Sequence, residues 1–424
     1  MKILILFLLF LFLLLFRIPI AFILGLLSVG YVYLFMDVPL QILIQRMGAS
    51  MDSFPLLALP LYIFVGMIMH RLSITDRLLR FAQSMVGAWK GGLAQVNVVA
   101  LMIFSGLSGS SLADTAGMGS VVMRLMIKQG YPRAFSAALT ASLAVIGPMI
   151  PPSVAFILYG IIAEVSIGRL FLGGVIPGLL VGGAFMAMNW YVAGKRNFPV
   201  TPKEEIPPFF KSAVEALPAL GTIGVILGGM VFGVFTTTEA AGIAALYAIV
   251  LGFCYKTINT QKILETAYET ALLTGVVMFI LACSQAFQWL VTIEQIPQVV
   301  SKFILSVTTN KYVVIAILNV IYLILGCVME TVAIIFLTVP IFVPLIKSVG
   351  IDPVHFGVFM VFNLCIGLVT PPFAMGTFIT AKMAGARFQE VVRESGVMIL
   401  VLVFVLALVS YVPWFSTWLG NALM

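Results

Sequence analysis

Two adjacent prolines in the middle of a long apolar segment cannot belong to a continuous helix, and this chain carries that arrangement twice. The first lies in Gly147-Pro-Met-Ile-Pro-Pro-Ser153 and the second in Gly367-Leu-Val-Thr-Pro-Pro-Phe373. Proline has no amide hydrogen and its ring collides with the preceding turn, so each pair breaks the helix and frees several carbonyls. At membrane depth such backbone survives only beside protein or a polar cavity. Superposing Pro151-Pro152 on Pro371-Pro372 puts Gly147 on Gly367 and Gly130 on Gly350 without a gap. Further upstream, a slip of four residues brings Asp114-Thr115 onto Glu330-Thr331. The chain is therefore an internal repeat of one broken-helix unit. Packing kinks alone would not recur in pairs with polar neighbours, whereas paired interruptions in corresponding halves are what transporter binding sites use.

The sequence is 62% hydrophobic and 9% charged, with apolar runs near the ~20 residues that cross a bilayer. It reads as an all-α polytopic membrane protein whose surroundings are the lipid bilayer. A net charge of +7 would suggest nucleic acid in a soluble chain, but here the basic residues fall in loops, so no nucleic-acid partner is expected. The polar segment 195–208 is a cytoplasmic linker between halves 1–194 and 209–424. Cys254, Cys283, Cys327 and Cys365 lie in apolar segments without CxxC spacing and read as reduced packing residues. No small-x-small cleavage site precedes Arg17-Ile-Pro19, so the first sixteen residues read as a retained helix.

Membrane crossings are expected at 3–16, 18–35, 54–70, 134–163 and 170–193 in the first half, and at 213–235, 239–255, 271–293, 356–381 and 391–414 in the second. The segments 134–163 and 356–381 carry the Pro-Pro breaks. Short amphipathic stretches at 39–50, 76–89, 261–270 and 299–306 suit helices lying along the membrane surface. Residues 93–128 are long enough for two half-spans around a Ser/Gly cluster, with Lys90, Arg124 and Lys128 at both ends, which argues for a re-entrant hairpin. A second hairpin is expected over 313–346. Five crossings and one hairpin per half make two inverted-topology repeats. With both termini external, seventeen of the 23 Lys and Arg are cytoplasmic, among them Arg71, Arg77, Arg80, Lys195, Arg196 and Lys203. Only Lys2, Arg46, Arg169, Lys302, Lys311 and Lys347 are external, which favours this orientation over its mirror image.

Unwound backbone supplies carbonyl oxygens to hard cations, and exposed half-helix N-termini favour anions. The first hairpin adds hydroxyls at Ser105, Ser108, Ser110 and Ser111 opposite the carbonyls around Gly147 to Pro151. The second offers Gly326 and Glu330-Thr331 opposite Thr370. Two pseudo-symmetric cation sites flanking a central cavity follow. Asp114 and Glu330 are costly inside a bilayer and are functional candidates, or else caps of half-helices at the tips. His70 and His355 fall at predicted helix ends, where an interfacial or capping role is expected. Gly106-Leu-Ser108-Gly109 fits the pattern of rhomboid-type intramembrane serine proteases, but that chemistry needs a histidine base within reach of the serine, and an inverted repeat has no role in it. No GxxxxGK[ST] phosphate loop is present. No enzymatic activity is expected.

Ser105-Gly-Leu-Ser-Gly-Ser-Ser-Leu-Ala-Asp114, the two Pro-Pro motifs and Arg17-Ile-Pro-Ile-Ala-Phe22, in this order, resemble the large membrane subunit of tripartite ATP-independent periplasmic (TRAP) transporters. The resemblance covers essentially the whole chain and leans to the sialic acid branch. It implies Na⁺-driven uptake of an acidic solute, a sialic acid or a C4-dicarboxylate, across the bacterial inner membrane. It implies two partners: a periplasmic substrate-binding protein and a small four-helix membrane subunit, here expected as a separate chain. It also implies an elevator mechanism, in which a transport domain of hairpins and broken helices slides against a scaffold. Family Na⁺ sites carry over to Ser105, Ser108, Gly147, Ile150 and Pro151, and to Gly326, Thr370 and Met375. Substrate contacts carry over to Ser110, Ser153 and Glu330, where the family commonly has Asp. A stand-alone divalent-anion/Na⁺ symporter shares hairpins and inverted repeats and is the alternative.

Overall fold

The computed structural model describes residues 9–424 apart from 11, 14, 15, 17, 73 and 373. The expected first helix over 3–16 lies mostly outside these residues, as do Lys2 and Arg17. Regular structure among the described residues is entirely helical. Eight helices among them are long and apolar enough to cross a membrane.

The first half runs α1 (Ile20–Phe35), α2 (Gln41–Met51), α3 (Ala58–Arg71, entered through a tight turn at Phe54–Leu57), α4 (Thr75–Val86), α5 (Gly92–Ser108), α6 (Ser111–Asp114), α7 (Ser120–Lys128), α8 (Arg133–Leu143), α9 (Val154–Ala163) and α10 (Ile167–Arg196). The second runs α11 (Phe209–Val231), α12 (Thr237–Cys254), α13 (Thr260–Ile293), α14 (Ile296–Val307), α15 (Lys311–Val328), α16 (Thr331–Ser348), α17 (Pro353–Gly367), α18 (Met375–Ala384), α19 (Phe388–Tyr411) and α20 (Trp414–Leu423). Local chemistry sets many of these starts. Thr236 and Glu239 form a reciprocal capping box for α12, and the side chains of Asn259, Asn310 and Asp352 accept from backbone amides at the starts of α13, α15 and α17.

Three expectations need correction. Segments 261–270 and 271–293 are one helix of 34 residues. Neither Gly nor Pro separates them, whereas Pro55 and Pro60 mark the corresponding place in the first half. A terminal helix, α20, follows a turn at Val412-Pro413 and packs on α10, with Trp414 and Trp418 stacked at 5.1 Å. His355, by contrast, takes a capping role: it is 1% exposed, lies in the first turn of α17, and meets a carbonyl in the last turn of α19. Its Nδ1 is 2.6 Å from Ser416 Oγ and its Nε2 3.0 Å from the Ser410 carbonyl, so it ties α17 to the chain end. All four cysteines are free, but Cys254 is exposed and does not pack internally.

The halves interlock in two groups of helices. In one, α3 packs on α12 while α13 packs on α1 and α2. Tyr62 Oη donates to the Thr237 carbonyl at 3.1 Å, and Arg71 reaches Glu265 at 3.0 Å and Glu269 at 2.8 Å. In the other, α9 packs on α16, α18 on α8, and α15 on α17. Each broken helix of one half thus leans on elements of the other, and this second group holds both Pro-Pro interruptions.

Candidate functional site

The first tip is shaped by Gly109. Helix α5 ends there in a left-handed residue, φ 64°, with its amide bonded to the Ser105 carbonyl at 3.1 Å. After extended Ser110 the chain re-enters helix at Ser111–Asp114, widens into a single π turn at Thr115–Gly119, and continues as α7 against α5. Gly117 within that turn lies far from helical geometry, φ −82° and ψ −107°.

The tip rests on the first break. A Cβ at Gly109 would overlap the Pro152 carbonyl, so only a bare backbone permits this approach. The break itself is a tight turn at Ala144–Ile146 followed by non-helical backbone to Ser153, with Pro151, Pro152 and Ser153 buried. Ser153 Oγ accepts from the Phe156 amide at 3.3 Å and so starts α9. The second break runs through Leu368 to Ala374. There the Gly376 amide bonds back to the Leu368 carbonyl at 3.0 Å, and Thr370 Oγ1 donates to the Ile366 carbonyl at 2.8 Å. Gly326 of α15 meets Gly367 backbone to backbone; a Cβ on Gly367 would come 2.5 Å from Gly326 Cα. Pro371 and Pro372 are exposed, so the two breaks are covered unequally.

Between the tips lies a cavity of about 370 Å³, lined among others by Ser108, Ser110, Glu330, Thr331, Met375 and His70. A smaller one of about 190 Å³ adjoins it through Glu330, Leu368 and Met375, and includes Gly326 and Gly367. A larger cavity of about 550 Å³, between Ser53, Glu164, Thr236 and Met424, contains neither a tip nor a break. Of the candidate residues, Ser108, Ser110, Glu330 and Met375 face the central cavity. Ser105, Gly147 and Pro151 are buried beside it, Ile150 and Thr370 are half-buried, and Gly326 lines the smaller chamber. Ser153 is fully buried, is no part of the cavity lining, and caps α9.

Two residues do more than their sequence positions suggested. Asp114 is no mere cap: it is completely buried and accepts the hydroxyls of both Ser105, at 2.8 Å, and Ser108. His70 does not cap α3 but crosses to the hairpin. Its Nε2 is 3.1 Å from the Ala113 carbonyl, and its ring lies against the bare backbone of Gly117 and edge-on to Phe104. The available signal was spacing. Gly66, the one glycine in α3, stands a helical turn before His70, and its face meets the Ser108 backbone, so both belong to one contact stripe. The proton of Ser108 goes to a carboxylate and not to an imidazole, which is not the pairing of a serine nucleophile with a histidine base.

Residues 7–415 match the family described as the DctM component of tripartite ATP-independent periplasmic transporters. The chain belongs to this family. It is 38% identical over 399 residues to the sialic acid TRAP transporter large permease protein SiaM of Vibrio cholerae, covering 94% of this chain and 93% of that one. It is 36% identical to the C4-dicarboxylate large permease protein DctM of Pseudomonas aeruginosa, covering 94% of each. In fold, this DctM family member is similar to the YdaH transporter of Alcanivorax borkumensis, with a TM-score of 0.65 over 98% of each chain at 13% identity. It is thus a multi-pass membrane protein, and SiaM and DctM, the two relatives above, are named as large permease proteins.

Proposed function

We propose that this permease takes up an acidic organic solute across the inner membrane, coupled to Na⁺ and fed by a periplasmic substrate-binding protein, with a small four-helix membrane subunit as its partner. The observation that carries this reading is the cavity between the two tips: it has hydroxyls and half-helix starts for an anion, and oxygen-rich unwound backbone on either side for Na⁺. Ser105, Ser108, Gly147, Ile150 and Pro151 form one cation site, and Gly326, Thr370 and Met375 the other. Ser110 and Glu330 contact the solute, with sialic acids and C4-dicarboxylates as the classes suggested by the relatives' names. Ser153 is assigned an indirect part through the start of α9. The two interlocked helix groups are the scaffold and the moving domain of an elevator, and the two halves are inverted repeats with both termini periplasmic.

Among the described residues that line the cavity there is no arginine or lysine; His70 is its one basic group and Glu330 its one acid. A tight anion site ordinarily uses a bidentate, charge-assisted donor. A cavity of hydroxyls and dipoles suits loose holding and release, which leaves discrimination to a separate receptor. Uptake in proteoliposomes containing the permease and small subunit is therefore expected only with both a Na⁺ gradient and a receptor loaded with an acidic solute. Full uptake of free solute without receptor moves the assignment to a stand-alone divalent-anion/Na⁺ symporter.

A further inference from the structure

Asp114 is a carboxylate with no exposed surface, and no Lys, Arg or His forms an ion pair with it among the described residues. Its Oδ2 accepts from Ser105 Oγ at 2.8 Å and its Oδ1 from Ser108 Oγ. Gly147, at the start of the first break, packs directly on it: a Cβ there would stand 2.5 Å from Oδ2. A buried charge of this kind is expensive unless a counter-charge shares its surroundings.

The two serines depart from the usual behaviour of hydroxyls in membrane helices, which bond back to the carbonyl one turn earlier. Thr370 at the second break does bond back, to Ile366. A serine hydroxyl has one proton and two lone pairs. With both protons committed to Asp114, Ser105 and Ser108 can act toward anything else only as acceptors, and only a donor or a cation can use them. Glu330, aligned with Asp114 in the repeat, does nothing similar: it faces the central cavity and makes no cap bond at the start of α16.

We propose that Asp114 is the positioning residue and counter-charge of the first cation site. It holds both hydroxyl protons so that Ser105 and Ser108 present lone pairs to Na⁺ beside the Gly147 to Pro151 carbonyls. This rests on the Na⁺-coupled reading above and adds that the two cation sites work differently: in the first a buried carboxylate takes the protons of both serine hydroxyls, whereas in the second Glu330 lines the chamber while the Thr370 hydroxyl bonds back to Ile366.

The test is Na⁺-dependent thermal stabilisation of the purified chain in lipid nanodiscs, titrated against choline at constant ionic strength without solute. Asp114→Asn removes the charge, and its NH₂ makes one serine an acceptor in place of a donor. The half-saturating Na⁺ concentration is expected to rise roughly tenfold or more, the scale of a lost charge-assisted hydrogen bond. A lower melting temperature in choline with an unchanged half-saturation point marks a purely structural role and overturns the proposal. If Asp114→Asn does not fold, Ser105→Ala leaves the charge in place and is expected to raise half-saturation several-fold; an unchanged value overturns the proposal equally. A wild-type chain with no Na⁺ response overturns the Na⁺ reading and this inference together, whereas a responsive wild type with an indifferent Asp114→Asn overturns this inference alone.

Discussion

Ser108 stands at the first hairpin tip and Thr370 in the second break, and their hydroxyls are spent differently, one on Asp114 and the other on its own helix. Alanine at either position removes one oxygen and leaves the neighbouring carbonyls, so the affected site is expected to weaken and not to vanish. A loss of ~1 kcal/mol corresponds to roughly a fivefold rise in the Na⁺ concentration for half-maximal uptake. Receptor-fed uptake measured against Na⁺ for Ser108→Ala and Thr370→Ala checks this, and unchanged Na⁺ dependence in both variants refutes the two-site assignment. The Ser/Gly cluster was legible from residue types alone. That Asp114 collects two of its hydroxyls was not, because it depends on how α5 and α6 turn toward each other at Gly109.

The first tip is also held by α3, which packs in the other helix group. Its His70 reaches the Ala113 carbonyl where the hairpin backbone departs from α-helical geometry. Replacing His70 by Ala removes that bond and opens space over Gly117, which is expected to cost the tip about 1 kcal/mol and to speed local opening around fivefold. Hydrogen exchange at residues 113–119, compared with exchange along α17 as an internal standard, reads this directly; equal exchange in both proteins shows that the bond does not hold the hairpin. The Pro-Pro breaks were legible in the sequence because proline's missing amide acts within a single turn. The merging of 261–270 with 271–293 was marked only by the absence of any Gly or Pro between them, a weaker local signal than a proline that breaks a turn.

For the whole molecule, cross-packing of α3 on α12 and of α13 on α1 places elements of both halves in one helix group. The proposed inversion of the second half relative to the first predicts Lys203 in the linker to be cytoplasmic and Lys311 at the start of α15 to be external. Cysteines introduced at these positions, in a background lacking the native four, are expected to react oppositely with an impermeant thiol reagent in intact cells. Reaction from the same side rules out the inverted repeat.

The sequence by itself determined the membrane setting, the helical class, the places where helices break and the oxygen-bearing residues at those breaks. Each of these follows from hydrophobicity, proline geometry or side-chain chemistry acting over a few neighbouring residues. Only the tertiary structure decided which of those oxygens meet. It buried Asp114 between Ser105, Ser108 and Gly147, left Glu330 facing the cavity, brought His70 onto the hairpin from a helix 43 residues away, and closed His355 against Ser410 and Ser416. The reason is physical: a hydroxyl or carboxylate inside a bilayer protein must find a partner, but its own type fixes only that need, and the packing of distant helices selects which group satisfies it.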